Sequence, residues 1–311
     1  MRILVTGGAG FIGSHSVDAL IDAGHAVAVV DDLTTGNRSF VHADAEFHEM
    51  DVRSEDLSEI FVAFKPSHVL HLAAQLDVRA SLERPVFDAD VNVLGTINVL
   101  ENCVAHQVQA IVFSSTGGAI YGEPADLPAD EDTPAMPMCP YGVSKLSAEH
   151  FIQFYGQAHG LDFMILRYGN VYGPRQDPHG EAGVCAILPG LMLEGKVPTL
   201  YGEGSPLRDY VYVGDVVRAN VMGLEHPKGR VVNIASGRGT TVRQLFDVIQ
   251  AHTDFRGEPI LAPLRPGEVD KIYLNASLAQ EVLGWSAKVG LDDGLSETVK
   301  FIRDAAAPPR H

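Results

Sequence analysis

The chain has 311 residues, of which 46% are hydrophobic and 20% are charged, a composition typical of globular proteins. Its formal net charge of −17 argues against a nucleic-acid-binding protein, because such proteins present basic surfaces. No apolar run is long enough to cross a membrane, no charged-then-apolar leader is seen, and three scattered cysteines favour reduced thiols, so we expect a cytoplasmic protein.

Short apolar runs alternate with stretches of helical periodicity through the first half of the chain. Strands that alternate with helices predict an α/β fold, here a Rossmann-like, doubly wound parallel sheet covered by helices on both faces. The predicted strands are Arg2–Thr6, Ala26–Val30, Ala45–His48, His68–Leu72, Ala110–Phe113 and Phe163–Arg167, and the predicted helices are Phe11–Ala23, Ser54–Phe64, Val86–His106 and Tyr141–His159.

The pattern becomes irregular after Pro174, where glycine and proline are more frequent. We therefore expect a dinucleotide-binding domain over residues 1–171 and a smaller, mixed α/β substrate lobe over residues 172–311, partly interleaved with the first. The elements predicted in this lobe are the strands Val211–Val213 and Val231–Ile234 and the helices Val242–Ala251 and Ser277–Leu283.

A glycine-rich segment, Thr6–Gly13, joins the first predicted strand to the first helix. Gly7 would allow the tight turn, Gly10 would let the backbone approach a pyrophosphate, and Gly13 would let helix and strand pack closely. Asp31 ends the second strand, where a carboxylate would bind ribose hydroxyls and repel a 2′-phosphate. The pattern predicts NAD rather than NADP; the alternative is a structural turn that only caps a helix.

Two further strand ends face the same predicted cofactor. Asp51 and Val52 follow the third strand, where a carboxylate can accept a hydrogen bond from the adenine amino group; the alternative is a solvated loop aspartate. The fourth strand ends in His71 and the small run Leu72–Ala74, which would leave room for backbone beside the cofactor. We expect His71 to be a packing or hydrogen-bonding residue rather than a catalyst.

Tyr141 and Lys145 are four residues apart and share one face of a predicted helix. A cation beside a phenol lowers the phenol pKa, so Tyr141 could act as a base near neutral pH, with the hydroxyl of Thr116 holding the substrate oxygen. A Tyr-x-x-x-Lys spacing alone is common on helices. Next to a dinucleotide fingerprint, however, it indicates proton removal coupled to hydride transfer.

The chain resembles the extended short-chain dehydrogenase/reductase family over nearly its whole length, and within it the nucleotide-sugar epimerases of the UDP-glucose 4-epimerase type. Two segments are typical of the bacterial group: Ser-Thr-Gly-Gly-Ala-Ile-Tyr-Gly at residues 115–122 and Asp-Pro-His-Gly-Glu-Ala-Gly-Val at residues 177–184. The other matching segments are Thr6–Gly13, Asp31–Asn37, His71–Ala74, Asn92, Tyr141–Lys145, Leu166–Arg175, Arg208–Val211 and Arg265–Glu268.

This resemblance implies a reaction and a set of site residues. Tyr141 would remove the proton of the 4′-hydroxyl of a UDP-sugar, Thr116 would hydrogen-bond the 4′-oxygen, and Lys145 would bind the nicotinamide ribose. The 4′-hydride would pass to tightly bound NAD and return to the other face of the 4-keto sugar, which interconverts UDP-galactose and UDP-glucose. No metal is implied.

The implied binding residues fall into two groups. The cofactor group comprises Gly7, Gly10, Phe11, Ile12, Gly13, Asp31, Asp32, Leu33, Asn37, Asp51, Val52, Leu72, Ala73, Ala74, Gln75, Asn92, Ser114, Tyr141, Lys145 and Tyr168. The substrate group comprises Thr116, Tyr141, Asn170, Val184, Arg208, Arg265 and Glu268. Arg208 could instead form a surface ion pair with Asp209, and His179 is expected only to shape a substrate loop.

Several alternatives remain open at this stage. The sugar could be N-acetylated, a pentose or a uronic acid, and the absence of an asparagine from Gly183–Ile187 leaves uridine against thymidine undecided. A dehydrogenase that releases NADH or a non-catalytic NAD-sensing protein would share the fingerprint. A 4,6-dehydratase is disfavoured because Gly117 and Gly118 stand where it would place an acidic pair.

The resemblance also implies a homodimer. Family members pair two helices across a dimer, and the corresponding stretches here are Val86–His106 and Tyr141–His159. Apolar residues such as Leu94, Ile97 and Leu100 would then be partly interfacial, or else ordinary core.

Overall fold

The central sheet of the computed structural model, which describes residues 1–178, 183–264 and 269–306, contains seven parallel strands. Their order across the sheet is β3–β2–β1–β4–β5–β6–β10, so the direction of winding reverses between β1 and β4. This confirms the predicted doubly wound parallel sheet. The strands are β1 (Arg2–Thr6), β2 (Ala26–Asp31), β3 (Glu46–Glu49), β4 (His68–His71), β5 (Ala110–Thr116), β6 (Asp162–Tyr168) and β10 (Arg230–Ile234).

Helices cover both faces of this sheet. Apolar residues of α1, α9 and α11 pack on one face, and those of α2, α5 and α7 pack on the other. The helices in chain order are α1 (Phe11–Asp22), α2 (Leu57–Phe64), α3 (Val78–Glu83), α4 (Pro85–Ala89), α5 (Gly95–Ala105), α6 (Gly117–Ile120), α7 (Pro140–His159), α8 (Val184–Leu193), α9 (Val213–Glu225), α10 (Val242–Ala251), α11 (Ser277–Leu283) and α12 (Leu291–Ala306).

The first strand shows why its sequence is apolar at every position. Ile3 and Val5 pack on the face covered by α1 and α9, whereas Leu4 packs on the opposite face. Side chains alternate between the faces of a strand, so a strand covered on both sides must be apolar throughout. The apolar runs read from the sequence are therefore central strands.

The remaining described strands form two small sheets beside a third apolar core. That core is built from residues of α8, α10 and α12 together with the strands β8 and β9. β9 lies between β7 and β11, and β12 pairs in parallel with β8. These strands are β7 (Asn170–Tyr172), β8 (Thr199–Tyr201), β9 (Leu207–Tyr212), β11 (Gly239–Thr241) and β12 (Ile260–Ala262).

In the C-terminal part, the predicted strand Val211–Val213 is wrong at its end, and the predicted strand Val231–Ile234 belongs to the main sheet. Val213 does not end a strand: β9 stops at Tyr212, and Val213 is the first residue of α9. The prediction was wrong because the apolar residues Val211 and Val213 lie on either side of a direct junction of strand and helix. β10, which comes from beyond residue 171, pairs with β6 and so completes the main sheet.

The predicted helix Val86–His106 is interrupted in the structure. α4 runs into a π-helical segment, Asp90–Leu94, before α5 begins at Gly95. A π-turn inserts an extra residue and is frequent at functional sites. Here the π-helical segment holds Asn92, whose side chain is buried.

Across the described ranges, none of the helices has both the length and the apolar character needed to cross a lipid bilayer.

A buried ion pair fastens α7 to the sheet. Glu149 of α7 accepts hydrogen bonds from the guanidinium of Arg167 on β6, with Nη2 to Oε2 at 2.6 Å and Nε to Oε1 at 2.9 Å. Ser115 of β5 donates to the same carboxylate, and Arg167 Nη1 donates to the Tyr121 hydroxyl at 3.0 Å. Both charged groups are buried, so each depends on the other for compensation.

Glu149→Leu should lower the free energy of unfolding by about 3–5 kcal/mol, because it leaves the Arg167 charge buried without its partner. The double variant Glu149→Leu/Arg167→Met should recover part of this loss. Chemical denaturation monitored by circular dichroism measures both. As a matched control, Arg243→Met breaks the exposed pair between Arg243 and Asp247 and should cost at most about 1 kcal/mol. A double variant less stable than Glu149→Leu would contradict this account.

Candidate active site

The carboxyl ends of the parallel strands meet along one edge of the sheet. Register places Thr6 of β1 opposite His71 of β4, and Thr116 of β5 opposite Tyr168 of β6. In open α/β sheets, ligands bind outside this edge where the strand order reverses. The reversal between β1 and β4 lies beside the predicted glycine loop.

The glycine loop has two positions where a side chain cannot fit. Gly7 has φ of 70°, and a Cβ there would lie 2.7 Å from the amide nitrogen of Ala73. A Cβ on Gly13 would lie 2.0 Å from the carbonyl oxygen of Gly7. Gly10 differs, since its Cβ would meet only the Gly7 oxygen at 3.3 Å. The loop therefore packs tightly on its inner side and leaves room at Gly10, immediately before Phe11 and Ile12 open α1.

Asp31 ties the loop after β2 to the glycine loop. Its Oδ2 accepts from the Ala9 amide and its Oδ1 from the Leu33 amide, both at 2.9 Å. The Asn37 amide in turn donates to the Ala9 carbonyl at 2.9 Å. Burial raises the pKa of the Asp31 carboxyl, and the two amide hydrogen bonds oppose that rise. Each carboxylate oxygen keeps a second lone pair that could accept from a ribose hydroxyl.

Asp32 and Asp51 have partners within the protein. Asp32 accepts from the Thr34 amide at 2.9 Å. Asp51 is bound by Arg53, whose Nε donates to the two Asp51 oxygens at 3.0 and 3.1 Å, and this hydrogen bonding lowers the pKa of the Asp51 carboxyl. Asp51 is thus not a free solvated carboxylate, and the neighbouring Val52 side chain is buried. The contact of Asp51 with adenine stays a prediction.

His71 is a neutral hydrogen-bonding residue. Its Nδ1 lies 2.6 Å from the Thr6 hydroxyl and its Nε2 lies 3.0 Å from the Thr96 hydroxyl. Burial, with a smaller contribution from the nearby Lys145 charge, lowers the pKa of His71 to about 3. The Thr6 hydroxyl also accepts hydrogen bonds from the backbone amides of Leu72 and Ala73, each at 3.2 Å. This cluster fixes the ends of β1 and β4 against each other.

Asn92 joins the loop after β4 to α7. Its Oδ1 accepts from the Gln75 amide at 2.8 Å, and its Nδ2 donates to the Gln75 carbonyl at 3.0 Å and to the Ser144 hydroxyl at 3.1 Å. A buried carboxylate, Asp88, accepts from the side chains of Gln75 at 2.8 Å and of Asn92 at 3.3 Å. The sequence analysis did not identify Asp88; its place one turn before Asn92 was the available signal.

Thr116, Tyr141 and Lys145 come together at the end of β5. Thr116 ends the strand, its hydroxyl hydrogen-bonds Tyr141, and Tyr141 is the second residue of α7. Lys145 follows one helical turn later with 3% of its surface exposed, and its Nζ lies 4.3 Å from the centroid of the Phe113 ring. The arrangement offers a phenol, a hydroxyl and a buried cation at one position.

The expected low pKa of Tyr141 is not a property of the protein alone. Burial raises the pKa of Tyr141, and the charges of Cys139 and Asp88 raise it further, against a lowering hydrogen bond from Thr116. Burial also lowers the pKa of Lys145 to about 7, although Glu149 and Asp88 raise it. Helical spacing indicates that the Lys145 charge is near Tyr141, but it does not report the desolvation that both groups undergo.

On the substrate side, Asn170 lies beside Thr116. A Cβ built on Gly118 would be 3.3 Å from Asn170 Oδ1 and 3.9 Å from Thr116 Oγ1. Arg208 donates to the carbonyls of Leu207 and Asp270, both at 3.0 Å, and to that of Val269.

The carboxylate of Asp209, next to Arg208 in the sequence, is held by hydrogen-bond donors other than Arg208. Asp209 is buried and accepts hydrogen bonds from Ser236, Gly237 and Leu274. The alternative of a surface ion pair between Arg208 and Asp209 is therefore not what the structure shows. Val184 opens α8, whereas Arg265, Glu268 and His179 lie outside the described residues.

Two predicted cofactor residues have side chains that are largely buried. The Tyr168 hydroxyl donates to Asn220 of α9 at 2.6 Å, and Asn220 donates to Ser16 of α1 at 3.1 Å. The phenol of Tyr168 thus belongs to the core, and its backbone is what lies at the sheet edge. Ser114 is 9% exposed near the end of β5. In the parts of the chain that are described, no His, Cys, Asp and Glu cluster could hold a metal ion.

The comparisons with known proteins agree on one family. The sequence profile of the NAD dependent epimerase/dehydratase family matches residues 3–235. The UDP-glucose 4-epimerase of Mycolicibacterium smegmatis is 41% identical over 310 residues, which cover 98% of this chain and 99% of that protein.

Two solved structures are similar in fold and sequence. The crystal structure of UDP-glucose 4-epimerase with UDP-glucose from Thermotoga maritima has a TM-score of 0.97 and 46% identity, covering 99% of this chain and 100% of the other. The UDP-glucose 4-epimerase of Thermus thermophilus in complex with NAD has a TM-score of 0.93 and 45% identity, covering 98% of this chain and 100% of the other. The resemblance read from the sequence is confirmed: this chain belongs to the NAD dependent epimerase/dehydratase family, within the extended short-chain dehydrogenase/reductases.

Proposed function

We propose that this protein is a UDP-glucose 4-epimerase that interconverts UDP-galactose and UDP-glucose with tightly bound NAD. The family and the relatives named UDP-glucose 4-epimerase support the activity and the cofactor. The observation that carries the proposal is the meeting of Thr116, Tyr141 and the buried Lys145 at the sheet edge next to the glycine loop.

The residues at the loop fit a dinucleotide. Room beside Gly10 and the helix N-terminus of α1 suit the pyrophosphate, since a helix N-terminus offers amide donors and positive partial charge, and Asp31 suits the adenosine ribose. Bound NAD would supply a hydride acceptor and donor for C4 of the sugar, together with a positive charge. Further contacts are proposed for Asp32, Leu33, Asn37, Asp51, Val52, Leu72, Ala73, Ala74, Gln75, Asn92, Ser114 and Tyr168.

Tyr141 is the proposed base. As phenolate it takes the proton of the 4′-hydroxyl and returns it once the opposite face of C4 has been reduced. Thr116 holds the 4′-oxygen and also stabilises the phenolate by its hydrogen bond. Lys145 contributes a cation to the nicotinamide ribose and to the phenolate. Because burial works against both charges, a second positive charge beside Tyr141 favours the phenolate.

The substrate lobe is proposed to extend over residues 172–311 and to bind the nucleotide. Arg208 suits the diphosphate because guanidinium binds phosphate oxygens through paired hydrogen bonds, and Asn170 can offer its amide. On the family resemblance, Arg265 is assigned to the diphosphate with Arg208, Glu268 to the uridine ribose hydroxyls, and the backbone around Val184 to the base. Gly117 and Gly118 leave no acid or base beside Thr116, which favours epimerisation over loss of water.

We also propose a homodimer and a cytoplasmic location. Several large apolar side chains of α4, the π-helical segment and α7 are exposed: Val86, Leu94, Val143 and Phe154. Exposed large apolar side chains on neighbouring helices are what a protein interface would cover, and this supports the dimer. Leu100, in contrast, is fully buried and belongs to the core. The location is supported by Cys103, Cys139 and Cys185, which are all free thiols.

Purified protein given UDP-galactose without added NAD should form an equilibrium mixture with UDP-glucose, because retained NAD is regenerated in each cycle. Proton NMR of the anomeric signals measures the conversion. Conversion of only an N-acetylated, pentose or uronic analogue would move the assignment to that nucleotide sugar. Net formation of NADH, followed by absorbance, would instead indicate a dehydrogenase.

Tyr141→Phe should lower kcat by about 100-fold or more, since general-base catalysis contributes at least that much, while NAD stays bound. Tyr155→Phe makes the same chemical change on the same helix, where the hydroxyl only contacts Glu101, and should keep wild-type turnover. Steady-state kinetics and NAD content of the purified variants are the measurements. Wild-type turnover by Tyr141→Phe would exclude Tyr141 as the base.

Val143→Glu/Phe154→Glu should convert the dimer to a monomer, because two carboxylates would be buried in the apolar interface. Light scattering at micromolar concentration measures the molar mass, with Val197→Glu as a control at an exposed valine outside α7. A wild-type monomer under these conditions would refute the dimer.

A further inference from the structure

Asp88 is a buried acidic residue with an incomplete set of hydrogen-bond partners. Its side chain is 1% exposed and lies in the last turn of α4, two residues before the π-helical segment. Oδ1 accepts from Gln75 Nε2 and Asn92 Nδ2, whereas Oδ2 accepts no hydrogen bond from any residue in the described ranges. A buried polar group that lacks a hydrogen-bond partner is unfavourable, so its presence calls for a physical reason.

Asp88 is connected through its neighbours to the helix that carries the proposed catalytic residues. Asp88, Cys139 and Ser144 line one cavity of about 510 Å³ between α4 and the start of α7. Through Asn92, the carboxylate is linked to Ser144, which lies between Tyr141 and Lys145 on α7. Its charge also acts on Tyr141 and Lys145 directly.

We propose that Asp88 is a positioning residue for the reaction: it anchors the loop at Gln75 to α7, and its negative charge favours the Lys145 cation and opposes the Tyr141 phenolate. This inference rests on the proposed epimerase function for its effect on turnover. Its effect on Lys145 stands independently of that function. Asp88 touches neither sugar nor cofactor in this proposal and acts only through its neighbours.

Other titratable or charged groups also lie near Lys145 and Tyr141. Around Lys145 they are Glu149 on α7, the neutral His71 on β4 and the Phe113 ring on β5. Glu149 is held by Arg167, so much of its charge is already compensated.

Tyr141 faces a different set. The groups that act on it are Cys139 before α7 and Thr116 on β5, in addition to Asp88. Asp88 is therefore the carboxylate that acts on both Lys145 and Tyr141 among the described groups.

The direction of the effect follows from the sign of the charge. A nearby anion stabilises an ammonium group and destabilises a phenolate, so it raises the pKa of Lys145 and the pKa of Tyr141 together. Loss of the anion must lower both. Activity requires a Tyr141 phenolate and a Lys145 cation, so the acidic and the alkaline limbs of the pH profile must move in the same direction.

Asp88→Asn tests this, since asparagine keeps an acceptor at Oδ1 and removes only the charge. Both limbs of the kcat profile should move to lower pH by about one pH unit, with KM for the UDP-sugar unchanged. Asp90→Asn is the matched control: the same change two residues on, at a half-exposed carboxylate paired with Arg53, should leave the profile in place. Limbs of Asp88→Asn that coincide with those of wild type would overturn the proposal.

Asp88→Ala is measured alongside, because a buried substitution can impair folding; it should give the same displacement.

A last measurement separates this proposal from the proposed function. In protein labelled with carbon-13 lysine, the Lys145 signal is assigned with Lys145→Arg and titrated without substrate. Its midpoint should be lower in Asp88→Asn than in wild type. If it moves while wild type fails to epimerise any nucleotide sugar, the function is wrong and the role of Asp88 survives. If epimerisation is normal and the midpoint does not move, the role of Asp88 is refuted.

Discussion

The site depends on how α7 is held against the end of β5. Tyr141, Lys145 and Glu149 are spaced four residues apart, so they occupy one face of the helix over two turns. Glu149 is fixed to Arg167 of β6 and Ser115 of β5, which sets the rotation and height of α7. The reactive phenol and the cation therefore gain their positions from a buried ion pair further along the same helix face.

Burial has opposite effects on geometry and on charge at this site. It orders the side chains, yet it makes both a phenolate and an ammonium group less stable than they are in water. The protein compensates with carboxylates near Lys145 and with the Thr116 hydroxyl at Tyr141. A cofactor that brings a positive charge further stabilises the Tyr141 phenolate. The protein without its cofactor therefore lacks part of the charge that catalysis needs.

The sequence was most informative where short-range rules determine the outcome. Central strands, the turn at Gly7 and the one-turn spacing of Tyr141 and Lys145 each follow from local periodicity or sterics. It was uninformative where distant segments meet. The π-helical segment, the junction at Val213 and the burial of Asp88 all depend on tertiary packing, and the elevated pKa of Tyr141 depends on desolvation that spacing cannot report.

The position of β10 has a consequence for folding during synthesis. Until Arg230–Ile234 has been made, β6 is the last strand of the sheet on that side, and its backbone donors and acceptors lack a neighbour. A nascent chain that ends anywhere before residue 230 thus exposes an apolar strand edge, which is prone to pair with other chains. The central sheet cannot be completed before residues 230–234 have been made, and a fragment that ends before them would be prone to aggregate.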